Sequence, residues 1–277
     1  MPHAIGFVDN SSHDRATVAF IDLIHDLLNV PGSGWEVVAK DTFIVVFRGE
    51  GFTGEESIYV GLQTSTNWDS DIFNFRAGTF TGYLPEEDFQ NQPGATNIVF
   101  GHNERIDYWL TWNKQRISFA LKVGTPVYGS CYLGKFMPYA RPSQFPYPLV
   151  NFADHDSFVR FSSTSPVMPY KGNRSNALMR DLNGNWIEPR IWPYDDTSRL
   201  AGTSGALRDL GGNYDLVPVE LFTANEAIWG TLDGIYFVSG FDNTVENLIV
   251  IDGVEYFVMQ NLYRTGFGDY YAIRMDP

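Results

Sequence analysis

Ile106-Asp107-Tyr108-Trp109-Leu110-Thr111-Trp112, then Asn113-Lys114-Gln115, then Arg116-Ile117-Ser118-Phe119-Ala120-Leu121-Lys122-Val123 is the stretch on which the fold is decided. Two runs rich in aromatic and branched side chains flank three polar residues, which is hairpin spacing. Val127 to Met137 continues it as another long strand. Upstream, Trp35 to Ala39, Thr42 to Arg48, Ser57 to Gln63 and Ile72 to Phe80 are rich in Val, Ile, Phe and Thr and bounded by Gly, Asp or Asn, so a meander is the economical topology. Between Leu84 and Ala95 the run Pro85-Glu86-Glu87-Asp88 through Gln92-Pro93-Gly94 reads as an acidic loop, either a solvated excursion or a contact arm.

One segment reads as a helix, from about Asp14 to Asn29. Thr17, Phe20, Ile21, Ile24, Leu27 and Leu28 recur on one face, so the helix is expected to pack on a sheet. Ser11, Ser12 or Asp14 can cap its start, and Pro31-Gly32-Ser33-Gly34 ends it. His25 lies one residue past the apolar face and reads as solvated.

Six prolines between Pro138 and Pro169 forbid regular ladders there, which suggests a domain seam. Its aromatic content is too high for a free linker, so an extended segment packed on its own protein or on a neighbour is expected. Beyond it, Ala177-Leu178-Met179-Arg180-Asp181-Leu182-Asn183-Gly184-Asn185-Trp186 is echoed by Ala206-Leu207-Arg208-Asp209-Leu210-Gly211-Gly212-Asn213-Tyr214. Each copy reads as a hairpin. Asn247 to Ile251, Asp252-Gly253 and Val254 to Met259 form a third hairpin, with Tyr270 to Met275 as a last strand. The expected fold is mainly β (α+β): a helix-plus-antiparallel-sheet domain over 1–140, a connecting segment over 141–176 and a β-hairpin domain over 177–277.

Composition bounds the chemistry. At 277 residues the chain can bury a core unaided, and its single cysteine, Cys131, excludes a disulfide-stapled scaffold. A formal charge of −14 repels polyanions, so no nucleic acid is expected as a partner. Neither an export signal nor a membrane span is read in the sequence. Phe 21, Tyr 15 and Trp 7 stand against 19 basic residues, of which only five are Lys. Interfaces favour aromatics and Arg and deplete Lys, so the composition leans toward a life against other proteins. An aromatic-rich β core explains the Phe and Trp nearly as well, but not the scarcity of Lys.

No residue is assigned a catalytic, cofactor-binding or metal-binding role, and no cofactor is expected. Gly202-Thr203-Ser204-Gly205 lacks the spacing of a nucleophile elbow. Cys131 lies in an apolar strand, where a thiol packs as a small hydrophobe. The five histidines never fall in close pairs. Asp154-His155-Asp156 reads as surface charge. Asp181-x-Asn183-Gly184-Asn185 resembles half a calcium loop but is accounted for by turn chemistry, and Asp69-x-Asp71 is thinner still. With 33 acidic residues a glycosidase carboxylate pair stays open as an alternative, and exposed Trp and Tyr would suit sugar stacking.

Tyr128-Gly129-Ser130-Cys131-Tyr132-Leu133-Gly134-Lys135-Phe136-Met137-Pro138-Tyr139-Ala140-Arg141-Pro142-Ser143-Gln144-Phe145-Pro146-Tyr147-Pro148-Leu149 resembles a segment of virion structural proteins of tailed bacteriophages. So do Gly230-Thr231-Leu232-Asp233-Gly234-Ile235-Tyr236-Phe237-Val238-Ser239-Gly240-Phe241, Ile251-Asp252-Gly253-Val254-Glu255-Tyr256 and Tyr271-Ala272-Ile273-Arg274, with the Tyr59-Val60-Gly61 strand and the Gln92-Pro93-Gly94 loop. The resemblance spans most of the chain and is weakest between Val150 and Trp192. It implies a non-enzymatic particle component assembled in the host bacterial cytoplasm and located in the virion, in the tail or baseplate rather than the head or neck. The partners it implies are other virion proteins and further copies of this chain in a ring. The alternatives are a host-glycan receptor-binding module of the virion or a head/neck decoration protein. The Pro-rich arm from Arg141 to Phe152 is the expected contact element, because proline lowers the ordering entropy of a docking segment.

Overall fold

The computed structural model of the protein describes residues 2–124, 127–160, 168–171, 175–194, 215–223, 227–262 and 266–275. The chain is mainly β, with one N-terminal helix and three antiparallel sheets. It opens with β1 (His3–Asp9), a strand not expected from the sequence. Helix α1 (Ala16–Leu28) buries Ala16, Thr17, Phe20, Ile21, Ile24 and Leu28, the face its periodicity marks, whereas Leu27 stays half-buried. Its start differs from expectation. Neither Ser11, Ser12 nor Asp14 caps it; Arg15 holds the cap position without a capping side-chain bond, and the Ala16 N–H donates instead to the Asn103 carbonyl at 2.7 Å. A backbone acceptor from the distant 101–104 loop thus satisfies the first orphan donor.

The expected meander runs through β2 (Trp35–Lys40), β3 (Ile44–Gly49), β4 (Ile58–Asn67), β5 (Ile72–Phe80) and β6 (Gly94–Phe100), a five-stranded sheet in sequence order. The chain then leaves it. The hairpin of β7 (Arg105–Asn113) and β8 (Arg116–Lys122) closes through Lys114-Gln115, with the Asn113 Oδ1 accepting from the Gln115 and Arg116 N–H groups at 3.0 and 3.2 Å. This hairpin begins a second, seven-stranded sheet. Its order is β1, β7, β8, β9 (Tyr128–Lys135), β11 (Leu149–Phe152), β12 (Ala177–Arg180), β13 (Trp186–Ile187).

The strand expected over Val127 to Met137 therefore divides. Gly134 turns the chain at φ +106, and β10 (Met137–Pro138) pairs instead with the third sheet. That sheet runs β14 (Arg190–Trp192), β15 (Val217–Phe222), β16 (Ile228–Phe237), β19 (Tyr270–Arg274), β18 (Val254–Gln260), β17 (Leu248–Ile251). Strand β11 comes from the Pro-rich stretch, and β12 and β13 from beyond it, so the central sheet draws strands from both sides of that stretch. The first copy of the near-repeat forms the β12–β13 hairpin; the second copy lies outside the described residues. Asp252-Gly253 turns the β17–β18 hairpin with φ values of +52 and +80.

Alternation along the central strands sends side chains to two cores. Ile106, Tyr108, Leu110, Ile117, Phe119, Leu121, Cys131 and Leu133 face the five-stranded sheet and the helix. Trp109, Ala120, Tyr132, Val150 and Phe152 face the third sheet. The result is three layers, with the central sheet covered on both sides. Phe20 of α1 is the wedge of the first core, with its ring 5.3 Å from Phe75, 5.9 Å from Tyr108 and 5.6 Å from Phe119. Burying a side chain of this size contributes roughly 1.5–3 kcal/mol. Polar groups stitch the same two layers. The Thr79 hydroxyl donates to the Val150 carbonyl at 2.8 Å and accepts from the Gly134 N–H, while the Asn151 amide donates to the Ala77 carbonyl at 3.1 Å.

Candidate interaction surface

Exposed aromatic rings on this molecule tend to carry an arginine. At one end of the five-stranded sheet, the β2–β3 turn presents Phe43 and the β4–β5 turn presents Trp68, which is 59% exposed. The Arg15 guanidinium, at the start of α1, lies 5.2 Å from the Phe43 ring centre and 5.9 Å from Trp68, and donates to the Thr66 hydroxyl at 2.7 Å. Trp68 meets the edge of Phe73 at 4.9 Å. Asp71, on the same turn at φ +52, binds Arg160 at 2.6 Å, and Arg76 lies 4.5 Å over the exposed Phe158. Held this way, rings and guanidinium planes lose little rotamer freedom when a partner covers them.

A second patch joins the rims of two layers. Ile5 pairs with Trp109, which belongs to the core between the central and third sheets, so Ile5 and Phe7 point toward the third sheet while lying beyond it. Phe7 is 52% exposed, under the Arg105 guanidinium at 4.0 Å. On the third sheet Leu248 pairs with Phe257, which packs on that same core, so Leu248 and Val250 point back toward the central sheet and are exposed in turn. Between them Glu246 accepts from the Lys122 ammonium at 2.7 Å and the Tyr128 hydroxyl at 2.5 Å. Strand β17 pairs with β18 alone among the described residues, leaving the other edge of Leu248–Ile251 open.

The Pro-rich arm is the third feature, and it divides at Pro148. Residues 141–144, Pro146 and Tyr147 are exposed, while Phe145 is 2% exposed and locked between Phe136 and Trp229 at 5.8 and 5.4 Å. Leu149 to Phe152 is strand β11 in the centre of the fold. The expected contact element therefore contracts to its first half, because the second half is buried by strand pairing on both sides. The turn is rigid: the Arg141 carbonyl accepts from the Gln144 and Phe145 N–H groups at 2.8 and 3.0 Å. Tyr139 leads into it with its hydroxyl on the Glu220 carboxylate at 2.6 Å, a bond that pushes the phenol up to about 12. Tyr147 lies under Arg180 at 5.8 Å.

The interior holds the groups with chemistry. Asp154, expected at the surface, is 1% exposed: its Oδ1 accepts the Ser130 N–H at 2.8 Å and its Oδ2 the Phe100 N–H at 3.0 Å, clamping β9 to the end of β6. Burial pushes this carboxyl up to about 8, against the pull of those two donors. Alternation hid it, since an extended Asp154-His155-Asp156 must turn one residue inward whenever both faces of the segment are not wet. Cys131 is buried in the first core, and burial, with Asp154 nearby, pushes its thiol well up. Arg116 is wholly buried and reaches Asp233 at 3.5 Å; Thr111 accepts from its guanidinium. Asp181 accepts from the Asn183 and Asn185 N–H groups at 2.9 and 2.8 Å, which is turn chemistry. His25 lies against Asp26 at 2.9 Å. Among the described residues, no three of His, Cys, Asp or Glu gather to hold a metal ion, and no helix is long and apolar enough to cross a membrane. Gly202-Thr203-Ser204-Gly205 lies outside the described residues. No family model matches this chain, and no curated protein matches it.

The arginine caps were legible only in composition, as the excess of Arg over Lys. Which ring meets which guanidinium depends on non-local pairing and has no sequence signal.

Proposed function

We propose that the protein is a non-enzymatic structural subunit of a tailed bacteriophage particle, in its tail or baseplate, working through contacts with neighbouring virion proteins and with further copies of itself. The observation that carries this reading is the set of exposed aromatic rings capped by arginine: Phe43 and Trp68 under Arg15, Phe7 under Arg105, Phe158 under Arg76, Tyr147 under Arg180. Trp, Tyr and Arg dominate binding hot spots, and a symmetric ring multiplies each contact by its copy number. The buried Asp154, Cys131 and Arg116 are spent on holding layers together, which suits a building block. The resemblance of the 128–149 and 230–241 segments to virion proteins points the same way.

Mass spectrometry of purified particles with copy-number determination tests the proposal. A fixed, many-copy stoichiometry is expected; absence from the particles rejects it. A second reading, attachment to host glycans, draws on Trp68 alone, whose exposed ring could stack on a sugar. It predicts sugar-array binding that is lost in Trp68→Ala.

A further inference from the structure

The third sheet ends on β17, whose outer edge is unpaired among the described residues. This strand closes on β18 through the two-residue Asp252-Gly253 turn, so Ile251 and Val254 face each other as a hydrogen-bonded pair. Pairs of that kind alternate along an antiparallel ladder. The N–H and C=O groups of Leu248 and Val250 are therefore directed away from β18, toward the open side. Donors and acceptors at a two-residue repeat are matched by one kind of ligand, the backbone of another extended segment.

The side chains beside that edge are apolar on both layers. Tyr271 of β19 meets Ser130 of β9 through their hydroxyls at 2.6 Å, and Glu246, just before β17, binds Lys122 of β8. Passing from β19 to β17 therefore follows the central sheet from β9 toward β8, β7 and β1, and the open edge of β17 looks toward β1. Phe7, Asp107 and Lys122 are cross-strand neighbours on β1, β7 and β8, which sets Phe7 about 10 Å to the side of Lys122. Exposed Ile5 and Phe7 on one layer, and exposed Leu248 and Val250 on the other, thus border a single opening between the two sheets. Its rim is acidic. Asp252 and Glu255 are exposed on the β17–β18 hairpin and make no ion pair among the described residues, whereas Lys122 and Arg105 are taken by Glu246 and Asp107.

We infer that this edge receives an extended strand from a different protein, apolar at alternate positions and carrying Lys or Arg at its ends, which adds to β17 and fills the opening toward β1. The inference rests on the structural role proposed above and gives the chemistry of one neighbour. Main-chain bonds to Leu248 and Val250 supply affinity, and alternate apolar side chains lying on Ile5, Phe7, Leu248 and Val250 fix the register. Basic ends answer Asp252 and Glu255. They also set the occupant apart from a second copy, whose own β17 ends in the same Asp252 and whose formal charge is −14.

Fluorescence anisotropy with the full chain at low micromolar concentration and labelled octapeptides tests this. The peptides alternate Val with Thr and end in Lys, in Glu, or in Lys with the Val amide nitrogens methylated. The unmethylated Lys-ended peptide is expected to bind, less tightly as salt is raised, and the other two roughly tenfold more weakly. Val250→Pro removes an outward N–H without breaking a bond to β18, and is expected to weaken that peptide by roughly tenfold while circular dichroism stays unchanged. Phe7→Ser, on the opposite layer, is expected to weaken it about fivefold. In the wild type, binding is expected to slow amide exchange at Leu248 and Val250, a readout that needs no variant. Absence of binding, equal binding of the three peptides, or unchanged exchange at those two amides overturns the inference. So does self-association of the chain at this concentration that Val250→Pro abolishes, since the occupant is then a second copy. Particle stoichiometry is read separately, so the structural role can survive loss of this contact.

Discussion

Arg116 on β8 and Asp233 on β16 form an ion pair that crosses from the central sheet to the third sheet, with the guanidinium fully buried and the carboxylate partly wet. The Asn113 amide donates to the same carboxylate at 2.6 Å, and the Tyr132 ring lies 6.0 Å from the guanidinium. The pair is a registration device between two layers rather than a source of net stability, because the desolvation of both charges consumes most of what their attraction returns.

Removing one member is therefore expected to hurt more than removing both. Asp233→Ala leaves a buried guanidinium uncompensated and should cost about 3 kcal/mol, at the low end of such losses because Asp233 keeps some contact with water. Asp233→Leu combined with Arg116→Met should recover much of that. Denaturant unfolding of the three proteins checks it; equal losses in single and double variants would show that the pair does not act as a unit.

Asp154 makes stability depend on pH in an unusual direction. Its folded-state pKa of about 8 lies above the ordinary carboxyl value of 3.8, so the folded chain holds this proton more tightly than the unfolded chain. Its contribution is complete below about pH 4 and is lost as pH climbs toward 8. Asp154→Asn abolishes that dependence and adds a constant loss of about 1–3 kcal/mol, since one backbone N–H now meets an amide NH2. Melting temperatures at pH 5, 7 and 9 should fall more steeply for the wild type than for Asp154→Asn; parallel curves contradict the assignment.

Phe145 anchors the otherwise exposed first half of the arm. Phe145→Ala opens a cavity between Phe136 and Trp229 and is expected to cost about 3–5 kcal/mol. Gln144→Ala and Tyr147→Ser, on exposed positions, should stay within about 0.5 kcal/mol of the wild type. Deleting 144–148 outright removes the anchor as well, so point substitutions are the cleaner probe of assembly, read together with thermal melting.

Two glycines with positive φ predict different penalties. At Gly253 (φ +80) nothing lies within 4 Å of an added Cβ, so Gly253→Ala costs only the backbone preference, about 1–2 kcal/mol. At Gly134 (φ +106) the same methyl would fall on the Gln115 carbonyl oxygen, and strain and clash add. Gly134→Ala should be the more damaging of the two in a thermal melt.

Local signals were the legible ones. The α1 apolar stripe, the polar turn after Asn113, the Asp252-Gly253 pair and the Asp181 turn each lie within a few residues, and each forms where the sequence marks it. What escaped reading is set by distant partners. His3–Asp9 becomes a strand only because β7 offers it an edge, and Asp154 goes inside only because Phe100 and Ser130 bring two N–H groups there from elsewhere in the chain. Likewise Arg15, in the cap position of α1, spends its side chain on Phe43 and Trp68, two turns of a sheet not yet made when the helix is read.

Strand β17 brings an obligation in time. Leu-Ile-Val-Ile carries no lysine, proline or bulge to discourage a stray strand from annealing to its bare rim. Copies of the chain accumulating at high concentration would zip rim to rim into ribbons. Crowding of newly made chains is therefore the hazard, and overexpression of the wild type should yield fibrous precipitate sooner than Val250→Lys does.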